Sequence, residues 1–277
     1  MKNRFLISSV AWQGLRHSEA IAEVRAAGFG GVEILCKPGH FEPGNRAHMD
    51  DVLSALAEWP DALVTFHAPF YMVDPAASDP DAWDWSMGEM MLALEAASRL
   101  RARSMTVHVR SRETAKTWDD ANLDAVRRSL DRLAPVAAER NMTLAVENLP
   151  PPCFTSDAAD LLRLIEEYPA GVVGACIDMG HAHLAERAAE IARMLASRAF
   201  VSHLHDNIGA GHGDKHMIPG GGTIPWAGVV EAMREFRGQP VMEVVMTGTL
   251  GETLANVERA IVETGLTRLV SGIHEYE

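Results

Sequence analysis

The sequence predicts a single (β/α)8 barrel over residues 1–277, and three observations predict it. Short apolar runs alternate with longer amphipathic ones along the whole chain. The strand-then-helix unit repeats eight times without a break, more often than an open doubly wound sheet usually repeats it. No low-complexity segment and no linker rich in Pro, Gly or Ser interrupts the series, so one domain is expected. At 277 residues and 47% hydrophobic content, the chain can bury the large core such a barrel needs.

The strands are expected, in order, in RFLISSVAW (4–12), GVEILCK (31–37), LVTFHAPF (63–70) and SMTVHVR (104–110), then in TLAVENLP (143–150), VVGACIDMG (172–180), FVSHLHDN (200–207) and PVMEVVM (240–246). Each is a brief apolar run closed by polar or turn-forming residues. The helices follow from 3.6-residue periodicity in SEAIAEVRAAG (18–28), MDDVLSALAEW (49–59), GEMMLALEAASRLRA (88–102) and NLDAVRRSLDRLAPVAAERN (122–141). The later ones lie in DAADLLRLIEEY (157–168), AERAAEIARMLAS (185–197), WAGVVEAMREF (226–236) and GETLANVERAIVETG (251–265). Several stop at Gly or Asn, as in AAGF and ERNM, the residues best suited to a helix C-terminus.

A net charge of −13 argues against a nucleic-acid partner, which needs clustered Lys and Arg. It leaves room for a small anionic substrate, because bound divalent cations reverse the charge locally. Cys36, Cys153 and Cys176 are odd in number and widely spaced, a pattern of free thiols in a reducing compartment. The start MKNRFLISSVAW has too short an apolar run for a secretory signal and reads as a first strand. No run approaches the length of a membrane span. A soluble cytoplasmic protein is expected.

In a barrel of this kind the strand ends and following loops form the reactive face. His67 closes the third strand, His108 the fourth and Glu147 the fifth. Asp178 and His181 close the sixth, His203 and His205 the seventh, and Glu243 the eighth. Asp214 and His216 follow in GDKH. A lone histidine at a strand end is usually a hydrogen-bonded structural residue. Six successive strands with a His, Asp or Glu there are different, since burying so many ionisable groups without a counter-charge is very costly. Divalent cations are the simplest compensation, with imidazole and carboxylate as standard ligands for zinc and manganese.

His203 and His205 share a strand face. His205, nearer the strand end, is the expected ligand, and His203 its support or a substrate contact. Asp206 faces the other way and is free to orient a loop. Glu33 is expected either to bind substrate or to hold a ligand histidine. His40 and His183 carry weaker claims, and His17, His48 and His274 none. Trp12, Phe70, Met179 and Trp226 are candidates for a pocket wall or for ordinary packing. Lys215 and the amides of Gly220 to Gly222 either hold a phosphate or form a turn.

The motifs HAPF (67–70), VEN (146–148), IDMGH (177–181), HLHDN (203–207), GDKH (213–216) and MEV (242–244) together resemble the xylose-isomerase-like TIM barrels. That superfamily includes sugar and sugar-phosphate isomerases and epimerases and endonuclease IV. Resemblance to the ketose 3-epimerases implies one divalent ion held by Glu147, Asp178, His205 and Glu243. It implies an acid/base pair in Glu147 and Glu243 working through an enediolate, and a substrate contact at His181. Resemblance to endonuclease IV implies three zinc ions held by His67, His108, Glu147, Asp178, His181, His205, Asp214, His216 and Glu243. Two departures set the chain apart from free-ketose epimerases: Cys153 stands where they carry a substrate-binding Glu, and Gly211 where they carry an Arg. The short loops and acidic charge tell against gripping a DNA duplex.

The expectation is therefore a metal-dependent isomerase or epimerase of a sugar, keto-sugar or sugar phosphate, with one to three zinc or manganese ions. The alternatives are a multinuclear phosphodiesterase or phosphatase on a small substrate, a keto-sugar lyase or dehydratase, and a non-catalytic metal-binding barrel. Homo-oligomers are common in the superfamily that the motifs resemble.

Overall fold

The computed structural model describes residues 4–110 and 119–271. His274 lies outside the described residues. The strands are β1 (Leu6–Ser8), β2 (Gly31–Leu35), β3 (Leu63–His67), β4 (Ser104–Val107), β5 (Thr143–Glu147), β6 (Val173–Asp178), β7 (Ala199–Leu204) and β8 (Gln239–Met242). All neighbours pair in parallel and β1 also pairs with β8, so the sheet closes in the order β1 to β8. The fold is a single (β/α)8 barrel, as the alternation of apolar and amphipathic runs predicts.

Its helices are α1 (His17–Ala26), α2 (Arg46–Ala57), α3 (Pro80–Arg99), α4 (Asp120–Glu139) and α5 (Ala158–Ile165), then α6 (Met179–Leu184), α7 (Ala188–Leu195), α8 (Trp226–Ala232), α9 (Leu250–Glu263) and α10 (Arg268–Ser271). Three departures from the periodicity reading have a local cause or bear on the site. Helix α3 begins at Pro80, eight residues early, because Asp79 caps the amide of Ala82 and Pro80 suits the first helical position. The end of the expected first strand coils into a 3-10 turn at Ser9–Trp12. The MGH following Asp178 is helical, because the Asp178 carboxylate accepts the His181 amide and starts α6 at once.

Alternate strand positions face the barrel interior. Its lower part is apolar, with Leu6, Ala145, Cys176, Val201 and Val241 packed together. One level up stand Glu147, Asp178, His203 and Glu243, each two residues past Ala145, Cys176, Val201 and Val241. The outer face of the barrel is sealed by the helices around Ile7, Phe66, Met105, Val146 and Ile177. One irregularity positions the site. Ala175 pairs with Ala199 but Cys176 pairs with Val201, so one extra residue, Phe200, is inserted into β7. The bulge brings Val201 level with Cys176 and His203 level with Asp178.

Candidate metal centre

The strand ends deliver four carboxylates and six imidazoles to one place, almost all buried. Glu147, Asp178, His203 and His205 are 0–1% exposed. Above them opens a cavity of about 390 Å³, lined by His67, His108, Glu147, His181, Asp214, His216 and Glu243 among others.

Three overlapping lobes can be traced. In the first, Glu147 Oε2 lies 3.3 Å from His67 Nε2 and 3.1 Å from His108 Nε2. In the second, His203 Nδ1 lies 3.1 Å from Glu243 Oε2, 3.6 Å from Asp178 Oδ2 and 3.7 Å from Glu147 Oε2. In the third, Asp214 Oδ2 lies 3.2 Å from His181 Nε2 and 2.7 Å from His216 Nε2.

The hydrogen-bond network assigns the imidazole tautomers and tests whether cations fit. The Nδ1–H groups of His67, His181 and His216 donate to the carbonyls of Ala68, Asn148 and Glu243 at 2.9, 3.0 and 2.9 Å. Each Nε2 then presents a lone pair to a carboxylate oxygen, which is repulsive unless a proton or a metal ion lies between them. His203 is oriented from the opposite side: its Nε2–H donates to Glu33 Oε2 at 3.2 Å. Its Nδ1, sealed from solvent, faces three carboxylates without an aligned hydrogen bond. Ligand-type atoms of Asp178, His203 and Glu243 fall within 4.8 Å of one another, as a divalent cation requires, and so do three further triads: His67, Glu147 and His203; Glu147, Asp178 and His181; and His205, His216 and Glu243. The residues present fit the cation that the sequence implies.

Electrostatics agree with that fit. Burial pushes the Glu147 carboxyl up, but His108 and His203 outweigh it and hold the group well below the usual carboxylate range. Burial also opposes ionisation of Asp178, yet His181 and His205 keep it depressed. Burial pulls the His216 imidazole down, while Glu243 and Asp214 drive it up to about 9. The carboxylates Glu243 and Asp214 therefore hold a proton on His216 wherever no cation competes, and metal uptake would release it.

The supporting residues are as ordered as the donors. Asn148 Nδ2 donates to the Asp178 carbonyl at 2.9 Å and the Asp178 amide donates to Asn148 Oδ1 at 2.8 Å, fixing the end of β5 to that of β6. Gly180 passes so close to His205 that an added Cβ would sit 1.9 Å from the ring. His205 Nε2 lies 3.0 Å from Asp178 Oδ2, and its ring stacks on His216 with centroids 4.1 Å apart. His216 has φ of 47°, a strained value for a residue with a side chain. Asn207 helps to hold that loop, donating from Nδ2 to Asp214 Oδ1 and accepting the Lys215 amide.

Several expected positions fall elsewhere. His203 stands among the three carboxylates of the second lobe, while His205 groups with His216 and Glu243 as a separate candidate triad. Glu33 is fully buried beneath His203 and does not reach the cavity, so it holds a histidine and not a substrate. Trp226 is buried, with Nε1 donating to Asp206 Oδ2 at 2.9 Å. Trp12 is buried and donates to His17 Nδ1, and Met179 lies in the core. Lys215 is exposed and outside the cavity. The Gly220–Gly222 loop is a turn around an internal anion: Asp206 accepts from the amides of Gly220, Ile224 and its neighbour Asn207 as well as from Trp226. A phosphate there would meet a carboxylate already in place. Of the four wall candidates, Phe70 lines the cavity, packed on His108 with ring centroids 4.7 Å apart.

Asp206→Asn is expected to lower unfolding free energy by about 3 kcal/mol, since an amide cannot accept all four donors and points its own NH2 at some of them. Denaturant titration checks this; a midpoint equal to that of the unaltered protein would remove Asp206 as the organiser of the loop.

The sequence reading did not flag Gln13, Lys37, Tyr71, Arg110 or Pro150–Pro152, all of which line the cavity. Lys37 and Arg110 had a usable signal, as the charged last residues of the GVEILCK and SMTVHVR runs.

A closed parallel barrel whose strand ends converge on a cavity of imidazoles and carboxylates defines a class, the (β/α)8 proteins with a metal-type centre at the C-terminal strand ends. Within it, the chain belongs to the xylose isomerase-like TIM barrel family, whose model matches residues 21–260. It is 29% identical over 161 residues to the uncharacterized protein y4fM of Sinorhizobium fredii, covering 54% of this chain and 50% of that one. The chain thus spans about half the length of that curated relative. Among solved structures, a D-tagatose 3-epimerase-like protein superposes with TM-score 0.80 at 20% identity, over 98% of this chain and 100% of the other. The IOLI protein, with a zinc atom, gives TM-score 0.78 at 15% identity, over 96% and 99%. At such identities these two likenesses show the fold. No helix among the described residues is long and apolar enough to cross a membrane.

Proposed function

We propose that the protein is a divalent-metal-dependent isomerase or epimerase acting on a sugar, keto-sugar or sugar derivative. One observation carries the reading: Glu147 and Glu243 both line the cavity and both flank His203 Nδ1, so two carboxylates share one cation position with access to substrate. The similarity to a D-tagatose 3-epimerase-like protein and to a zinc-bearing barrel supports it.

Glu147, Asp178, His203 and Glu243 would hold the ion. When bound, the ion supplies polarisation of a carbonyl and its neighbouring hydroxyl, which acidifies the C–H between them. The remaining work falls to the chain. One glutamate removes the proton from substrate carbon and the other returns a proton from the opposite side, through an enediolate. His181, whose Nδ1–H is fixed on the Asn148 carbonyl, presents Nε2 at the cavity wall beside Asp214. Phe70, Leu149 and the Pro150–Pro152 wall exclude water from the reacting carbon.

A second reading, a phosphoesterase using several ions, is favoured by the two outer lobes. His67 and His108 with Glu147, and His181 and His216 with Asp214, are each arranged as a further donor set. Metal content separates the two. About one tightly held zinc or manganese per chain, with solvent deuterium entering a ketose at carbon, supports isomerisation. Three zinc ions per chain, phosphodiester hydrolysis and no deuterium entry would overturn it.

A further inference from the structure

The cavity wall carries a cation that the metal-type centre does not use. Lys37 follows β2 at the catalytic end of the barrel and is half-buried. Its ammonium donates to Gln13 Oε1 and lies 5.9 Å from the centroid of the Tyr71 ring. No carboxylate among the described residues forms an ion pair with it, although the chain carries 38 Asp and Glu against 25 Lys and Arg. Arg110, 4% exposed, lines the same cavity. The same cavity has apolar stretches of lining, among them Val10, Leu35, Phe70, Leu149 and Val245.

A substrate that closes over this wall strips water from the Lys37 ammonium. A neutral sugar returns only hydroxyl acceptors, whereas an anionic group returns a charge-assisted hydrogen bond. We infer that Lys37 is a specificity-determining residue, receiving a carboxylate or phosphate of an acidic sugar whose reacting carbons lie at Glu147 and Glu243. The inference rests on the isomerase reading for the orientation of the substrate, but not for the existence of the anion site. It relocates the anion from the glycine loop, where Asp206 leaves no room, to the end of the second strand.

The test is binding by calorimetry to the metal-loaded protein, using D-fructose, D-fructose 6-phosphate and D-fructuronate as probes. One of the two anionic probes is expected to bind about 10- to 100-fold more tightly than the neutral ketose. The probe that does so distinguishes phosphate from carboxylate. Lys37→Met should remove that preference while leaving metal content unchanged, and Lys37→Arg should retain most of it. Equal binding of all three probes, or a preference that survives in Lys37→Met, overturns the inference. Anion preference without deuterium exchange in any probe would instead defeat the isomerase reading and leave Lys37 as the anion site.

Discussion

Glu147→Gln is expected to abolish entry of solvent deuterium into substrate carbon, with a rate loss of about 10³- to 10⁴-fold or more. The carboxylate stands at the junction of two lobes. Its Oε2 meets His67, His108 and His203, and its Oε1 lies 3.1 Å from His181 Nδ1. Burial opposes its ionisation, but the surrounding imidazoles overcome burial, so it is an anion over the ordinary working range. Glutamine fills the same volume, cannot accept a proton from carbon and offers only a neutral oxygen to a cation. Metal content should fall with activity while the far-ultraviolet dichroism stays unchanged. Wild-type exchange rates in the folded variant would sink the assignment of Glu147 as base or acid.

The second large effect concerns the paired histidines of the seventh strand. His203→Ala is expected to weaken the tightest metal site more than about 100-fold, beyond the 10- to 100-fold typical of a supporting residue. His205→Ala should fall within the supporting range, because its Nε2 is directed at Asp178, not at the shared cation position. Glu33→Gln should also weaken binding by about 10- to 100-fold, since Glu33 fixes the tautomer that leaves His203 Nδ1 bare. Competition with a chromophoric chelator measures all three. A larger loss in His205→Ala than in His203→Ala would reverse the assignment.

The fold was legible because the alternation of strand and helix is written in apolar spacing, which every unit of the barrel repeats. The ring of polar strand ends was legible for the same reason: His67, Glu147 and Asp178 each close an apolar run. Which of His203 and His205 stands level with Asp178 was not. Both lie on one strand face, and alternation fixes the face but not the level. The level depends on the extra residue at Phe200, which sets His203 beside Asp178, and no local pattern announces a bulge. The role of Asp206 was hidden likewise, because its four partners lie up to twenty residues further along the chain. Trp226 read as a pocket aromatic only because its nitrogen's partner could not be seen.

Asp178 serves two masters. One oxygen, Oδ1, accepts the His181 amide at 2.6 Å and begins helix α6, while Oδ2 points to His203 and His205. A single carboxylate thus joins the electronics of the centre to the first turn of a helix that carries His181 back to the cavity. Protonating or withdrawing density from one oxygen alters the other, so the start of the helix and the charge on Asp178 are linked. The six-residue helix is too short to stand on its own backbone bonds. Its order is therefore borrowed from the same carboxylate that faces His203 and His205.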